Sequence, residues 1–274
     1  MIKQISRFID GLLHCVQVDS GKIASYTIDG FEYIHQRATG WPNSDTEMFP
    51  IIGPTAKADY RVQVNDSKVV LDQHGLLREF PYKPLTSEGE LSRWVKKYKA
   101  YTELTNSKYP ENSPETVQFW PYDFTFTKSF GFNEKGLEIT FEIEADKEMP
   151  FMLGYHPAFK INPDYRAELI VDQQTHTIQS VLNAGSKAYE ITDSTRLILK
   201  NEKSIAIETE GFNHFMCWTE VPEMLCIEPI TFYPGSVEQK ELHKGFQTMN
   251  TTKRTFKTLI YPVTLEISFS LKVY

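Results

Sequence analysis

The sequence predicts an all-β chain folded as one large antiparallel β-sandwich with few short helices, and three observations predict it. Apolar and polar residues alternate with a period of two in several runs. Short turn sequences join these runs in pairs. The 274 residues, 41% hydrophobic and 24% charged, suffice for a single all-β domain spanning 1–274.

Taken in order along the chain, SYTI and FEYI flank Asp29-Gly30, a pair suited to a type I′ hairpin turn. LSRWVKKYKAY follows at 91–101, and Leu91, Trp94, Val95 and Tyr98 fall at helical spacing, so this segment is the helix candidate. The polar NSKYPENSPE, 106–115, is an exposed loop. YDFTFTKSF and LEITFEIEA form a second hairpin across FNEKG, with Leu137, Ile139, Phe141 and Ile143 on one face and Glu138, Thr140, Glu142 and Glu144 on the other. RLILK and SIAIET pair across residues 201–203. The terminal TLEISFSLKVY places Leu265, Ile267, Phe269, Leu271 and Val273 on one side of a last strand.

The charge balance excludes some partners. With 36 acidic against 29 basic residues and no basic block, the chain is suited neither to nucleic acid nor to anionic membranes. No run of 18 apolar residues and no signal-like apolar stretch occurs, which predicts a cytoplasmic protein. Cys15, Cys217 and Cys226 form neither an even set nor a CxxC, and three buried thiols are expected of them.

Two segments carry a shared detail: His156 precedes Pro157 in GYHPAF, and Glu228 precedes Pro229 in MLCIEPI. A residue before proline is pushed into extended geometry, and proline cannot donate to a ladder, so both side chains are expected at strand ends on restricted backbone. Apolar residues precede each, so both stand at the rim of a core, where burial shifts pKa values in a direction the sequence does not give. Trp41, Trp120 and Trp218 suit either core packing, the commoner use, or stacking on a sugar face.

With MFPIIGP (48–54), QHGLLREF (73–80) and FWPYDF (119–124), these segments resemble, in order and over nearly the whole chain, the aldose 1-epimerase (galactose mutarotase-like) superfamily, most closely its LacX-like bacterial branch. The opening GKIASYTIDGFEYIHQ resembles that family's first strands. The resemblance implies a galactose mutarotase-like supersandwich and the interconversion of α and β anomers of an aldose by acid–base ring opening. It makes His156 the general acid, in its protonated form, and Glu228 the general base, with His74 and Arg78 binding the sugar. Trp218 is taken as an aromatic sugar contact. A small-molecule sugar is then the partner, no cofactor or metal is required, and no oligomeric state follows.

Two departures stand out. Pro54 occupies a position where the family often has arginine, and Ile230 one where it often has tryptophan or glutamine. Galactose is therefore not singled out among aldoses. A phosphorylated hexose calls for basic groups, for which Arg78, Lys57 and Arg61 are candidates, the last two being more ordinary as solvated charges. Three rival readings are a carbohydrate-binding module, a cupin-like metal isomerase and a glycoside hydrolase or lyase. The second is disfavoured because no HxH occurs among the seven histidines, and the third because the best pair is a histidine with a carboxylate.

Overall fold

In Leu137–Ala145 the alternation becomes a burial pattern: Leu137, Ile139, Phe141 and Ile143 are fully buried, while the glutamates between them reach solvent. A computed structural model describes residues 2–38, 40–85 and 89–265 of the chain. This strand pairs antiparallel with Phe124–Phe132 on one side and Lys253–Pro262 on the other. It lies inside a nine-stranded sheet that also contains Glu168–Val171, Gln174–Thr177, Arg196–Lys200, Ile205–Glu210, Ser92–Tyr98 and Lys83–Leu85.

A five-stranded sheet faces it, in the order Tyr189–Ile191, His214–Trp218, Met224–Ile230, Gly154–Lys160, Asp45–Met48. The Phe141 ring of the first sheet lies 4.9 Å from the Tyr155 ring of the second. Lys128, fully buried on the first sheet, reaches across to Glu47 at 2.6 Å and to Asp45. Tyr155 also donates to Asp45 at 3.0 Å. One apolar cluster runs between the sheets and takes in residues from Ile5 to Ile260. The protein is thus an all-β antiparallel sandwich.

The Asp29-Gly30 turn has both residues in the left-handed region, with φ of 48° and 78°, as a type I′ turn requires. The hairpins across FNEKG and across 201–203 also form. NSKYPENSPE lies in the connection between the short paired strands Leu104–Thr105 and Val117–Gln118. Of TLEISFSLKVY, residues 266–274 lie outside the described residues.

Two expectations require correction. The segment read as a helix at 91–101 is the strand Ser92–Tyr98, paired antiparallel with Phe124–Phe130 and turning Ser92, Trp94, Lys96 and Tyr98 inward. A spacing of four residues, as between Trp94 and Tyr98, fits both periods, since four is one helical turn and also an even number of strand steps. Among the thiols, Cys15 is only half-buried, whereas Cys217 and Cys226 are buried.

Candidate active site

Alternation along Gly154–Lys160 decides what His156 does. Tyr155 and Phe159 point into the sandwich, so His156 and Ala158 point to the opposite face of the five-stranded sheet. On the neighbouring strand, Cys226 and Glu228 occupy that same outer face while Leu225 and Ile227 join the core. Thr46 pairs with His156 and Met216 with Glu228, so Thr46, His156, Glu228 and Met216 form one row across four strands.

Neither His156 nor Glu228 stands at a strand end; both are inside their strands, and so are the prolines. Pairing between the two strands is made at Gly154 with Ile230 and again at Ala158 with Cys226. Pro157 and Pro229 both fall in the interval between, opposite Ile227 and Tyr155, and neither can donate to the ladder. The register kept on either side sets His156 opposite Glu228, with Nε2 at 3.3 Å from Oε1.

The row forms the floor of a cavity of about 360 Å³ whose lining includes all five residues singled out in the sequence: His74, Arg78, His156, Trp218 and Glu228. Trp41 lies over the His156 ring at a centroid distance of 4.6 Å, Trp218 stands edge-on at 6.2 Å, and His74 is edge-on at 6.0 Å. Trp120, by contrast, is core.

His74 is held by the MFPIIGP segment. Its backbone sits in the left-handed region with φ of 68°, its carbonyl accepts from Phe49 N–H, and its N–H donates to Gly53 O. Gly53 N–H donates to His74 Nδ1 at 3.2 Å, and Nε2 lies 3.2 Å from the Gln73 amide nitrogen. Gly75 follows at φ +71°, and a Cβ there would lie 2.4 Å from the Phe49 carbonyl oxygen, so only glycine lets the two segments approach. Arg78 donates to Gln73 O at 2.5 Å and to Glu79 at 3.3 Å. Lys108 anchors the loop from behind, on Asp72 and Gln73.

Electrostatics in the cleft follow from burial. Desolvation, with Arg78 nearby, pushes His156 down to about 4. It raises Glu228 well above the usual carboxylate range. His74 is held well below the ordinary imidazole value by burial and then by His156, Arg78 and Lys108. A neutral imidazole beside a protonated carboxyl holds the same number of protons as an imidazolium beside a carboxylate, and the two groups lie 3.3 Å apart.

Lys57 and Arg61 are absent from the lining, and Arg61 pairs with Glu115 at 2.9 Å. The sequence reading missed Thr46, Met216, Lys187 and Glu220, all of which line the cavity. Thr46 and Met216 follow only from knowing which strands are neighbours, and no local signal marked the other two. Pro54 lines the cleft where the family often has arginine. His156, Cys226 and Glu228 together bring nitrogen, sulfur and oxygen atoms within 4.8 Å of one another. Among the described residues no helix is long and apolar enough to cross a membrane.

An antiparallel sandwich with an open cleft on one sheet, floored by a histidine and a glutamate and walled by tryptophan, defines a protein of the galactose mutarotase-like class. The chain belongs to the aldose 1-epimerase family, whose pattern matches residues 21–215. That stretch contains His74, Arg78 and His156 and ends before Trp218 and Glu228. Solved structures with the same fold include a galactose mutarotase-like protein from Lactobacillus casei, 15% identical, covering 95% of this chain and 100% of its own, with a TM-score of 0.71. A galactose mutarotase related enzyme from Lactobacillus acidophilus is 15% identical over 96% of this chain and 98% of its own, with a TM-score of 0.73. A galactose mutarotase-like protein from Clostridium acetobutylicum is 14% identical over 97% and 99%, with a TM-score of 0.61. No curated protein matches the chain in sequence.

Proposed function

We propose that this protein is a mutarotase that interconverts the α and β anomers of a free aldose, with His156 and Glu228 as its proton-transfer pair. One observation carries the reading: the imidazole and the carboxyl meet at 3.3 Å on the floor of the cleft, between tryptophan walls. Anomer exchange requires one proton taken from the C1 hydroxyl and one given to the ring oxygen. Glu228 as carboxylate takes the first while imidazolium His156 gives the second; the ring C1–O bond breaks and the C1 carbonyl forms.

The pair is then neutral, with the proton on Glu228, which is the form that burial favours. After rotation about C1–C2, the freed hydroxyl oxygen attacks C1 from the other face and gives its proton to His156, while Glu228 returns a proton to the former carbonyl oxygen. Each group thus donates once and accepts once, and no proton is exchanged with solvent. His74 and Arg78 offer hydrogen bonds to hydroxyls, and Trp41 and Trp218 offer faces for the C–H side of the ring.

A free sugar is favoured over a phosphorylated one because Arg78 is already engaged by Gln73 O and Glu79, and Glu220 offsets Lys187 at the lining. The segments GYHPAF and MLCIEPI support placement near the LacX-like branch. Saturation-transfer NMR on a panel of free and 6-phosphorylated aldoses tests the reading. Accelerated exchange in at least one free aldose is expected, and no acceleration in any sugar overturns it in favour of a non-catalytic carbohydrate-binding protein. Acceleration confined to the phosphorylated sugars would instead assign a hexose-6-phosphate 1-epimerase.

A further inference from the structure

We propose that His156, Cys226 and Glu228 form a binding site for a divalent ion of the Zn²⁺ class, open toward the cleft, and that the bound ion takes the acid–base pair out of use. The site arises from register. Cys226 and Glu228 are two residues apart and so share the outer face of Met224–Ile230. On the neighbouring strand the partner of Cys226 is Ala158, and Cys226 lies fully buried beside it with Trp41 and Trp218 packed against the pair. A nitrogen, a sulfur and a carboxylate oxygen from the three side chains lie within 4.8 Å of one another.

An ion bound at about 2.0 to 2.3 Å holds tetrahedral ligands roughly 3.3 to 3.8 Å apart. The His156 to Glu228 separation of 3.3 Å already meets that spacing. Binding therefore requires the Cys226 sulfur, now within 4.8 Å of the other two ligand atoms, to move closer to them.

A second, independent feature points to a ligand. Glu228 is 2% exposed, and among the described residues no donor other than the His156 ring reaches its carboxyl. Glu228 lines the cleft, so a ligand there reaches its carboxyl directly. A dication suits the site by charge: thiolate, carboxylate and neutral imidazole carry two negative charges, and the ion leaves the cluster neutral. Mixed sulfur, nitrogen and oxygen donors select Zn²⁺ or Co²⁺ over Mg²⁺ or Ca²⁺, which prefer oxygen alone. The fourth position faces the cleft, where water or a sugar hydroxyl completes the shell.

Cobalt binding supplies the test. Metal-free protein titrated with Co²⁺ is expected to bind one equivalent, with sulfur-to-cobalt charge-transfer absorption and the intense visible bands of tetrahedral cobalt, all reversed by a chelator. Cys226→Ala should abolish the charge-transfer absorption, Cys15→Ser and Cys217→Ser should retain it, and His156→Asn should weaken binding by about tenfold or more. No absorption at equimolar cobalt, or absorption that survives Cys226→Ala, overturns the site and leaves Cys226 as a packing residue beside Ala158 and Met224. Should Cys226→Ala not fold, His156→Asn decides: unchanged cobalt affinity overturns the proposal.

The blocking effect rests on the mutarotase reading, whereas the cobalt spectrum does not. Loss of anomer exchange on adding Zn²⁺, restored by chelator, is the expected second result. Exchange that continues with the ion bound overturns the blocking claim. A protein that binds cobalt as described but exchanges no sugar refutes the mutarotase reading alone.

Discussion

His156 and Glu228 face each other across the only interval of their shared ladder that contains two prolines, Pro157 and Pro229. Neither proline can donate to the ladder there, and the two side chains meet above the gap at 3.3 Å. On the proposed mutarotase reading the two groups act as a unit.

Replacing either group by its neutral isostere should remove proton transfer while keeping shape. His156→Asn and Glu228→Gln are each expected to slow anomer exchange by about 10² to 10⁴. The double variant should be scarcely slower than the worse single one, because removing one member already disables the pair. Saturation-transfer rates check this, with circular dichroism to establish the fold; additive losses would mean that the two groups act separately.

Activity should persist well into acid. The working pair holds one proton: below about 4 the lowered His156 also protonates and no acceptor remains, and above the raised Glu228 value both are deprotonated and no donor remains. The profile of kcat/KM against pH should therefore have its acid limb near 4 and an alkaline limb displaced above the carboxylate range. A limb at 6.5, the ordinary imidazole value, would contradict the buried environment.

Stability should carry the same signature. His156 has a folded value below its unfolded 6.5, so the folded state binds fewer protons between 6.5 and about 4. Its contribution is fully present above 6.5 and is lost as pH falls through that window, by up to about 3 kcal/mol. The raised Glu228 works oppositely, stabilising below its unfolded 4.5 and losing that contribution as pH rises. Urea midpoints measured at pH 7 and pH 4 should fall less for His156→Asn than for the wild type.

Gly75→Ala should damage both stability and binding. Its Cβ would sit 2.4 Å from the Phe49 carbonyl oxygen, and backbone there cannot yield without moving His74. Gly11→Ala is the control: φ is similarly positive at +80°, but nothing lies within 4 Å of the added carbon, so it should cost only the left-handed strain, about 1 to 2 kcal/mol. A higher KM and a larger loss of thermal midpoint for Gly75→Ala, with activity unaffected in Gly11→Ala, are the expected readouts.

Lys128→Met leaves Asp45 and Glu47 buried without their cation. A loss of about 3 to 5 kcal/mol in urea unfolding is expected. Adding Asp45→Asn and Glu47→Gln should recover much of it, since the penalty belongs to the uncompensated charges. A single variant as stable as the wild type would show that water or rearrangement relieves them.

Much of this was legible before folding. Alternation in LEITFEIEA and the turn chemistry of Asp29-Gly30 specify strands and a hairpin through local sterics and face burial, so both can be read residue by residue. His74, Arg78, His156, Trp218 and Glu228 could be singled out because the motifs carrying them are short and contiguous. Ser92–Tyr98 was misread because a spacing of four serves either period, and only pairing with Phe124–Phe130 decides between them.

By itself, then, the chain determined its class of structure and the residue types brought to the cleft, because side-chain periodicity and backbone restriction act within a few residues. Tertiary structure alone decided the row Thr46, His156, Glu228, Met216, the reversed protonation preference of the pair, and the approach of Cys226 to it. Those depend on which distant strands become neighbours and on how much water they exclude, quantities that no local stretch encodes.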